Sequence, residues 1–374
     1  MERLNKYRKK TWRYIRNFPK NYWKKNWWNK AKTIILVIVL LLFGTAYGIA
    51  RWYISTQSSI PLTMGVSFIP DYAKFLGVNP EQTMQSLLNI GVRNFRLTSY
   101  WTDIEPTKGT YDFSQLNWEF KLADKYHAHI LLVVGLRQPN WPECHMPSWA
   151  QNEPQSVWQP QLENVMTKVI NRYKNNPALS AYQVENEYYL KGFGDCTNFS
   201  RSRLASEYHL VKRLDPSKPA VISRSNNVFG AAVSPPIANA YGLSVYRRVW
   251  DAKLTHRYLT LPYPAWYYSY LAGTMRIFDH RNLFIAEFQA EPWAPHGKTL
   301  KQISLKQQNR TMSPAMFKSQ FNYAENTGIK TIYMWGAEYW YYRKVIEHDP
   351  SIWNIAKQYF STHSGAKAVP DFTN

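Results

Sequence analysis

The stretch Ala181-Tyr182-Gln183-Val184-Glu185-Asn186-Glu187-Tyr188 begins as a mostly apolar run and ends in two carboxylates that flank an amide. Its pattern predicts a buried strand over residues 178–187. An ionisable side chain at the end of a buried run is costly to hold unless it has a partner or a purpose. The stretch therefore predicts a functional site at the carboxyl end of this strand.

Short apolar runs of the same kind recur between residues 64 and 361 and alternate with longer amphipathic runs, as in repeated βα units. Eight strands are predicted, at residues 64–68, 94–99, 129–135, 178–187, 220–225, 242–246, 283–289 and 331–336. Helices are predicted at residues 80–90, 115–126, 160–173, 201–214, 266–278, 316–327 and 352–360.

Eight strands in alternation with helices predict an α/β fold, a (β/α)8 TIM barrel, over residues 64–361. The competing fold is a doubly wound open sheet. That fold usually carries a glycine-rich phosphate turn after its first strand, and none follows residues 64–68. The barrel is therefore the favoured fold.

The first 32 residues hold twelve Lys or Arg and one Glu, so this basic segment supplies +11 of the formal charge of +21. It leads into residues 33–50, eighteen residues without a charge, which give roughly 27 Å of helix and can just span a bilayer. The positive charge before the span places residues 1–32 in the cytoplasm. The chain outside is predicted to consist of a linker at 51–63, the barrel at 64–361 and a polar tail at 362–374.

Two other interpretations of this apolar segment remain. Ala46-Tyr47-Gly48 resembles the cleavage site of a signal peptide, although a charged leader of 32 residues is long for one. A buried core helix is the second alternative, and the one-sided charge argues against it. A signal-anchor transmembrane helix is therefore the favoured interpretation.

A basic chain can bind nucleic acid or anionic lipid. Because half of the excess charge lies beside the apolar span, membrane lipid is the expected partner of residues 33–50 and of the basic N-terminus, and no nucleic acid is expected. The nine His residues form no His-x-x-x-His pair, so no metal is predicted. No cofactor and no particular oligomeric state is predicted either.

The two cysteines, Cys144 and Cys196, both lie on the side predicted to be outside the membrane, where a disulfide can persist. The barrel assignment brings their loops to one face. A Cys144–Cys196 disulfide is therefore predicted, with two free buried thiols as the alternative.

Working residues of such a barrel lie at the carboxyl ends of its strands. Glu187 ends the fourth strand and Glu287 lies near the end of the seventh, so the two should converge over the mouth. A retaining glycosidase needs two carboxylates about 5 Å apart, one to protonate the leaving oxygen and one to attack the anomeric carbon. Glu185 is expected to lie deeper and to pair with an Arg. Glu291 competes with Glu287 as nucleophile, but Glu291-Pro292 is typical of a loop.

These residues also carry a resemblance. Residues 183–188 resemble the acid/base strand of the retaining β-galactosidases of glycoside hydrolase families 35 and 42, and Asn186-Glu187 is the pair found across clan A, including family 5 cellulases. The loop Trp101-x-x-x-Glu105-Pro106-x-x-Gly109-x-Tyr111-Asp112-Phe113 is similar to the loop after strand two in the same families. Arg96 matches an active-site arginine of the clan.

The resemblance implies that Glu187 is the acid/base and Glu287 the nucleophile. It further implies that Asn186 hydrogen-bonds the 2-hydroxyl of the sugar, that Trp335 stacks on the sugar, and that Tyr246 contacts the nucleophile. Because sugar C–H faces pack on aromatic rings, sugar contacts are expected from part of a wider set of strand-end and loop aromatics, with Trp101 and Trp293 preferred. That set is Trp101, Trp141, Trp149, Trp293, Trp335, Tyr339 and Trp340.

The strand ends also carry Arg137, Gln138, Asn226, Asn227 and Glu338, each equally compatible with ligand binding and with loop structure. The sequence as a whole predicts a membrane-anchored, extracytoplasmic, retaining β-glycosidase of cellulase-like or β-galactosidase-like type, with a carbohydrate substrate. The alternative is a catalytically inactive barrel that binds glycans at the cell surface.

Overall fold

The computed structural model describes residues 12, 27–224, 236–252, 254–363, 370 and 372. Most of the basic N-terminal segment, most of the polar tail, and Asn226 and Asn227 lie outside these described residues.

The described part of the chain alternates helices with strands, as the sequence predicts. In chain order the elements are α1 (Trp27–Thr56), β1 (Thr63–Phe68), α2 (Pro70–Leu76), α3 (Pro80–Asn89), β2 (Asn94–Thr98), α4 (Trp101–Ile104), α5 (Ser114–Lys125), β3 (His129–Val134), α6 (Ser148–Gln151), α7 (Gln155–Tyr173), β4 (Leu179–Val184), α8 (Arg201–Leu214), β5 (Ala220–Ser223), β6 (Ala240–Val245), β7 (Arg248–Asp251), β8 (Arg257–Thr260), α9 (Ala265–Asp279), β9 (Asn282–Gln289), α10 (Leu305–Met312), α11 (Pro314–Asn326), β10 (Thr331–Trp335), α12 (Ala337–Val345) and α13 (Ser351–Thr362).

Eight of the strands close into a parallel barrel in the order β1–β10–β9–β6–β5–β4–β3–β2. Strands β7 and β8 form a separate antiparallel hairpin after β6. The barrel strands are buried on both faces, which explains their nearly continuous apolar runs. The (β/α)8 fold is thereby confirmed.

The fourth strand ends earlier than predicted, at Val184 rather than at residue 187. Glu185 and Glu187 have φ angles of +62° and +41°, in the left-handed region that takes the chain away from the sheet. Non-glycine residues rarely adopt this backbone unless surrounding contacts hold them, and such positions cluster at functional sites. The two carboxylates therefore belong to the loop that leaves the strand.

Within the segment predicted as a polar tail, Phe372 packs on the barrel. This side chain is buried against Phe284 of β9, with ring centroids 5.1 Å apart. It belongs to a small apolar cluster with Leu131, Val221 and Tyr333 of the barrel strands. Part of the C-terminal tail therefore completes the core.

Helix α1 is longer than the predicted span, since it runs on to Thr56 through part of the predicted linker. It is the one helix in the described ranges that is long and apolar enough to cross a membrane. Its apolar side chains from Ile34 to Phe43 are exposed, whereas Ala50 and Tyr53 are buried against the barrel.

Candidate active site

A cleft of about 640 Å³ opens at the carboxyl ends of the barrel strands. Four carboxylates line it: Glu143, Glu187, Glu287 and Glu291. Eight aromatic side chains add to its wall: Tyr72, Phe75, Trp141, Phe193, Tyr246, Trp250, Trp293 and Trp335. A concave site with convergent polar groups and aromatic walls is typical of ligand-binding pockets.

Glu287 is held by two donors from different strands. Arg96 of β2 donates from Nη1 to Glu287 Oε1 at 3.0 Å, and the Tyr246 hydroxyl, just after β6, donates to Glu287 Oε2 at 2.8 Å. The predicted contact between Tyr246 and this carboxylate is present. The two donors fix the position of the Glu287 carboxyl group within the cleft.

The same arginine orients Asn186. Arg96 Nη2 donates to Asn186 Oδ1 at 2.6 Å, and the Ser223 hydroxyl donates to the same oxygen at 3.0 Å. Arg96 Nε donates in turn to Gln183 Oε1 at 2.8 Å. With its oxygen occupied, Asn186 directs its amide nitrogen toward Glu143, which lines the cleft.

Glu187 lines the cleft on the side of β4 and is almost fully buried. Burial and the negative charge of Glu287 raise the pKa of Glu187 to about 8. Its carboxyl group is therefore protonated at neutral pH. This is the protonation state that a general acid needs.

Glu143 is a cleft residue that the sequence analysis missed. It is buried in the loop after β3, and Asn186 Nδ2 donates to its Oε2 at 3.2 Å. Burial, followed by the charges of Glu187 and Glu287, raises the pKa of Glu143 well above its usual range. Its neighbour Cys144 and the strand end at Arg137 are the sequence signals that could have drawn attention to it.

Two ties hold the loops after β3 and β4 together. Cys144 and Cys196 form the predicted disulfide between them. The buried Arg137 donates from Nε to the Asn186 carbonyl oxygen at 2.7 Å and from Nη1 to the Phe193 carbonyl oxygen at 3.0 Å. Arg137 therefore fixes the loop after β4 against the loop after β3.

Glu185 has the supporting role that the sequence predicts. It accepts from Arg203 Nη1 at 2.6 Å and from the Leu136 and Arg137 backbone amides at 2.8 and 3.1 Å. Although burial alone would raise the pKa of Glu185, Arg203 and these hydrogen bonds hold it below its usual value. Glu185 therefore stays charged and outside the cleft.

Glu291, the competitor for the nucleophile, is bound differently from Glu287. Its two oxygens accept from the Tyr72 hydroxyl at 2.8 Å and from Trp335 Nε1 at 2.9 Å. Burial raises the pKa of Glu291 to about 7. Among the described residues no cation pairs with Glu291, whereas Glu287 is paired with Arg96. These contacts favour Glu287 over Glu291 as the candidate nucleophile.

The aromatic predictions divide into two groups. Trp141, Trp293 and Trp335 line the cleft, and the Trp293 ring lies edge-on to Tyr246 at 5.4 Å. Trp101 does not line it, which corrects its assignment as a sugar contact. Its ring is buried, and Nε1 donates to Glu105 Oε2 at 2.9 Å. The motif that begins at Trp101 thus holds its own loop together.

Several other strand-end residues also support loops. Trp149 Nε1 donates to the Glu105 carbonyl oxygen at 3.0 Å, and Gln138 Oε1 accepts from the Ser99 amide at 2.8 Å. Glu338 accepts from the Ile69 amide, and Tyr339 and Trp340 lie in the core. None of these five side chains lines the cleft.

Elements that the sequence analysis did not predict complete the wall. Val249 and Trp250 of the β7–β8 hairpin, Leu261 after it, and Tyr72 and Phe75 of α2 all line the cleft. Within the described ranges, no group of three or more His, Cys, Asp or Glu side chains could hold a metal ion.

The site lies in a chain that is similar to known glycoside hydrolases. Residues 78–217 match the glycoside hydrolase family 42 model, described as β-galactosidase. The β-galactosidase Bga of Halorubrum lacusprofundi is 22% identical over 177 residues, which cover 41% of this chain and 25% of that protein. The chain thus spans about a quarter of the length of this curated relative.

Solved structures agree in fold. A β-galactosidase from Rahnella sp. R3 has a TM-score of 0.55 and 12% identity, over 83% of this chain and 57% of that one. Xylanase 10B from Thermotoga maritima has a TM-score of 0.50 and 14% identity, over 80% and 96% of the two chains. The chain resembles the clan A glycoside hydrolases, and its segment 78–217 resembles family 42 among them.

Proposed function

We propose that this chain is a glycoside hydrolase that cleaves β-glycosidic bonds with net retention, using Glu287 as nucleophile and Glu187 as acid/base. The observation that carries the proposal is the unequal environment of the two carboxylates in one cleft. Glu287 is paired with Arg96 at 3.0 Å, while Glu187 has no cation bonded to it among the described residues and has a pKa raised, by burial and the charge of Glu287, to about 8. Two carboxyl groups in environments as different as these take different roles in catalysis, one as the proton donor and the other as the nucleophile.

In the first step a Glu287 oxygen attacks the anomeric carbon, the bond from that carbon to the leaving oxygen breaks, and Glu187 gives its proton to that oxygen. In the second step water attacks the anomeric carbon, Glu187 takes a proton from the water, and the ester to Glu287 breaks. Asn186 Nδ2, which donates to the cleft residue Glu143, would donate to the 2-hydroxyl of the sugar. No cofactor takes part in either step.

We further propose that α1 anchors the barrel in a membrane, with residues 1–32 in the cytoplasm and the barrel outside. The exposed apolar side chains from Ile34 to Phe43 support a span, and the basic residues before it support this orientation. The Cys144–Cys196 disulfide suits an oxidising compartment.

The test is hydrolysis of a panel of aryl β-glycosides by the full chain and by Glu287→Gln and Glu187→Gln. The parent should cleave at least one glycoside and Glu287→Gln should lose nearly all of that activity. Glu187→Gln should lose most activity on substrates with poor leaving groups, which depend on a proton donor, and less on activated ones. Full activity in either variant would contradict the assignment, and sugar binding without cleavage by the parent would favour a binding module.

A further inference from the structure

The membrane helix packs along the side of the barrel, parallel to α9. The Phe43 and Tyr47 rings lie edge-on to Trp266, near the start of α9, at 5.3 and 5.7 Å. Further along, Ile49 and Tyr53 lie against Gly273, where an added Cβ would come within 2.7 Å of the Ile49 side chain. Residue numbers therefore increase in the same direction along both helices, so α1 and α9 are parallel.

The direction of α9 relative to the cleft follows from its neighbours in the chain. Leu261, four residues before α9, lines the cleft, and its amide donates to the Arg247 carbonyl oxygen at 2.9 Å, just after β6 ends at the mouth. At its other end, α9 stops at Asp279, and β9 begins at Asn282 at the opposite end of the barrel. Helix α9 therefore runs from the mouth to the opposite end of the barrel, where the strands begin, which we call the closed end.

Helix α1 must run in the same direction. Ile54, near its end, lies against Gly328, which comes three residues before β10 starts at the closed end. Residues 27–42 therefore project beyond α9 on the side of the mouth, and the apolar run 33–42 among them extends about 15 Å. A bilayer that takes up this apolar run lies on the side to which the cleft opens.

Apolar side chains are exposed on this same side. Trp141, at the cleft edge, is 59% exposed, and Leu254, in the turn of the β7–β8 hairpin, is 85% exposed. Tyr263, Trp266 and Tyr267 cluster at the start of α9, beside the membrane helix. Aromatic side chains of this kind are enriched where proteins meet the membrane–water interface.

We propose that the cleft faces the outer surface of the membrane and that its substrate is a glycan carried on a membrane lipid. This inference rests on the proposed anchor and activity and adds to them the position of the substrate. A lipid-borne sugar is confined to the layer that the mouth faces, so that its effective concentration at the cleft is raised. A long polysaccharide in solution would have to enter between the barrel and the bilayer.

The orientation can be tested with one label in the β7–β8 turn, on the side of the mouth, and one at the far end of α9. Because both native cysteines are in the disulfide, Leu254→Cys and Phe278→Cys each give the full chain one free thiol for a fluorophore. Phe278 is 75% exposed at the closed end and serves as the matched control. In phosphatidylcholine–phosphatidylglycerol vesicles, a lipid with a spin-labelled headgroup should quench the label at 254 and spare the label at 278.

Vesicle flotation distinguishes a failure of the proposed anchor from a failure of the proposed orientation. A chain that does not float with the vesicles contradicts the anchor itself. A chain that floats with its 254 label unquenched, or with its 278 label quenched as strongly, retains the anchor and overturns the orientation.

Activity tests the substrate class. The probe is a monoglycosyl diacylglycerol in these vesicles that carries the sugar cleaved in the aryl panel. Leu254→Asp should lower hydrolysis of this lipid by about tenfold and leave the soluble aryl glycoside unaffected, while Phe278→Asp changes neither. Absence of aryl cleavage would contradict the proposed function. Two results would overturn this inference alone. In one, the protein cleaves the aryl glycoside but not the glycolipid. In the other, the parent and Leu254→Asp cleave the glycolipid at equal rates.

Discussion

The Arg96 guanidinium joins Glu287, the candidate nucleophile, to Asn186: it donates to Glu287 at 3.0 Å and to Asn186 at 2.6 Å. Arg96 is buried inside the barrel below the cleft. A planar guanidinium fixes two acceptors in a way that a lysine ammonium cannot. The relative positions of Glu287 and Asn186 therefore depend on this one side chain.

Replacement of Arg96 by Lys should disrupt the simultaneous contacts to Glu287 and Asn186. We expect kcat on an aryl β-glycoside to fall by about a hundredfold, because small misplacements of reacting groups carry costs of this size. Arg343→Lys is the matched control, since Arg343 is a buried arginine paired with Asp349 away from the cleft. Steady-state kinetics and a melting curve check both variants. Unchanged kcat in a folded Arg96→Lys protein would contradict the role of Arg96.

If Glu187 is the proton donor, its raised pKa should set the alkaline limit of activity. The acid must be protonated to act, so kcat/KM should be lost as the pH rises through about 8, the value to which burial and the charge of Glu287 raise this pKa. A pH profile on a substrate with a poor leaving group measures this limb. A profile that stays flat up to pH 10 would exclude Glu187 as the proton donor.

Glu143 should hold Asn186 in place without setting that limb. Burial, followed by the charges of Glu187 and Glu287, raises the pKa of Glu143 well above its usual range, so Glu143 stays neutral while Glu187 ionises. Glu143→Gln therefore removes no charge in this range, and the alkaline limb should stay in place. The glutamine oxygen can still accept from Asn186 Nδ2, whereas Glu143→Leu cannot, and that variant should lower kcat/KM. A limb that moves to lower pH in Glu143→Gln would show that Glu143 is charged in this range.

Gly273 tests the packing of α1 on the barrel. A Cβ at this position would lie 2.7 Å from Ile49 Cγ2, so Gly273→Val should overpack the contact and cost about 1–3 kcal/mol. Gly192 has no atom within 4 Å of its added Cβ, and Gly192→Val is the control. Thermal unfolding in detergent micelles measures both. Equal midpoints would mean that α1 does not pack closely on α9.

Local burial patterns explain why the barrel could be predicted. The strands are buried on both faces and read as apolar runs, so their positions were correct to within a few residues. The end of β4 was misplaced because the left-handed backbone at Glu185 and Glu187 accompanies long-range contacts, such as that between Glu185 and Arg203. A sequence window does not contain those contacts.

The site was predicted in part for the same reason. Glu187 and Glu287 follow buried runs, and this placed them at the mouth. Glu143 lies in a loop with no such run, and its position depends on a disulfide and on Arg137. Trp101 was misassigned because its partner, Glu105, lies four residues away and uses the indole N–H within the loop.

Covalent trapping tests the central claim most directly. A 2-deoxy-2-fluoro β-glycosyl fluoride of the sugar that the enzyme cleaves should inactivate the full chain, and peptide mass spectrometry should locate the glycosyl group on Glu287. A label on Glu291 instead, or inactivation without any glycosyl peptide and release of the inverted anomer from substrate, would contradict the account.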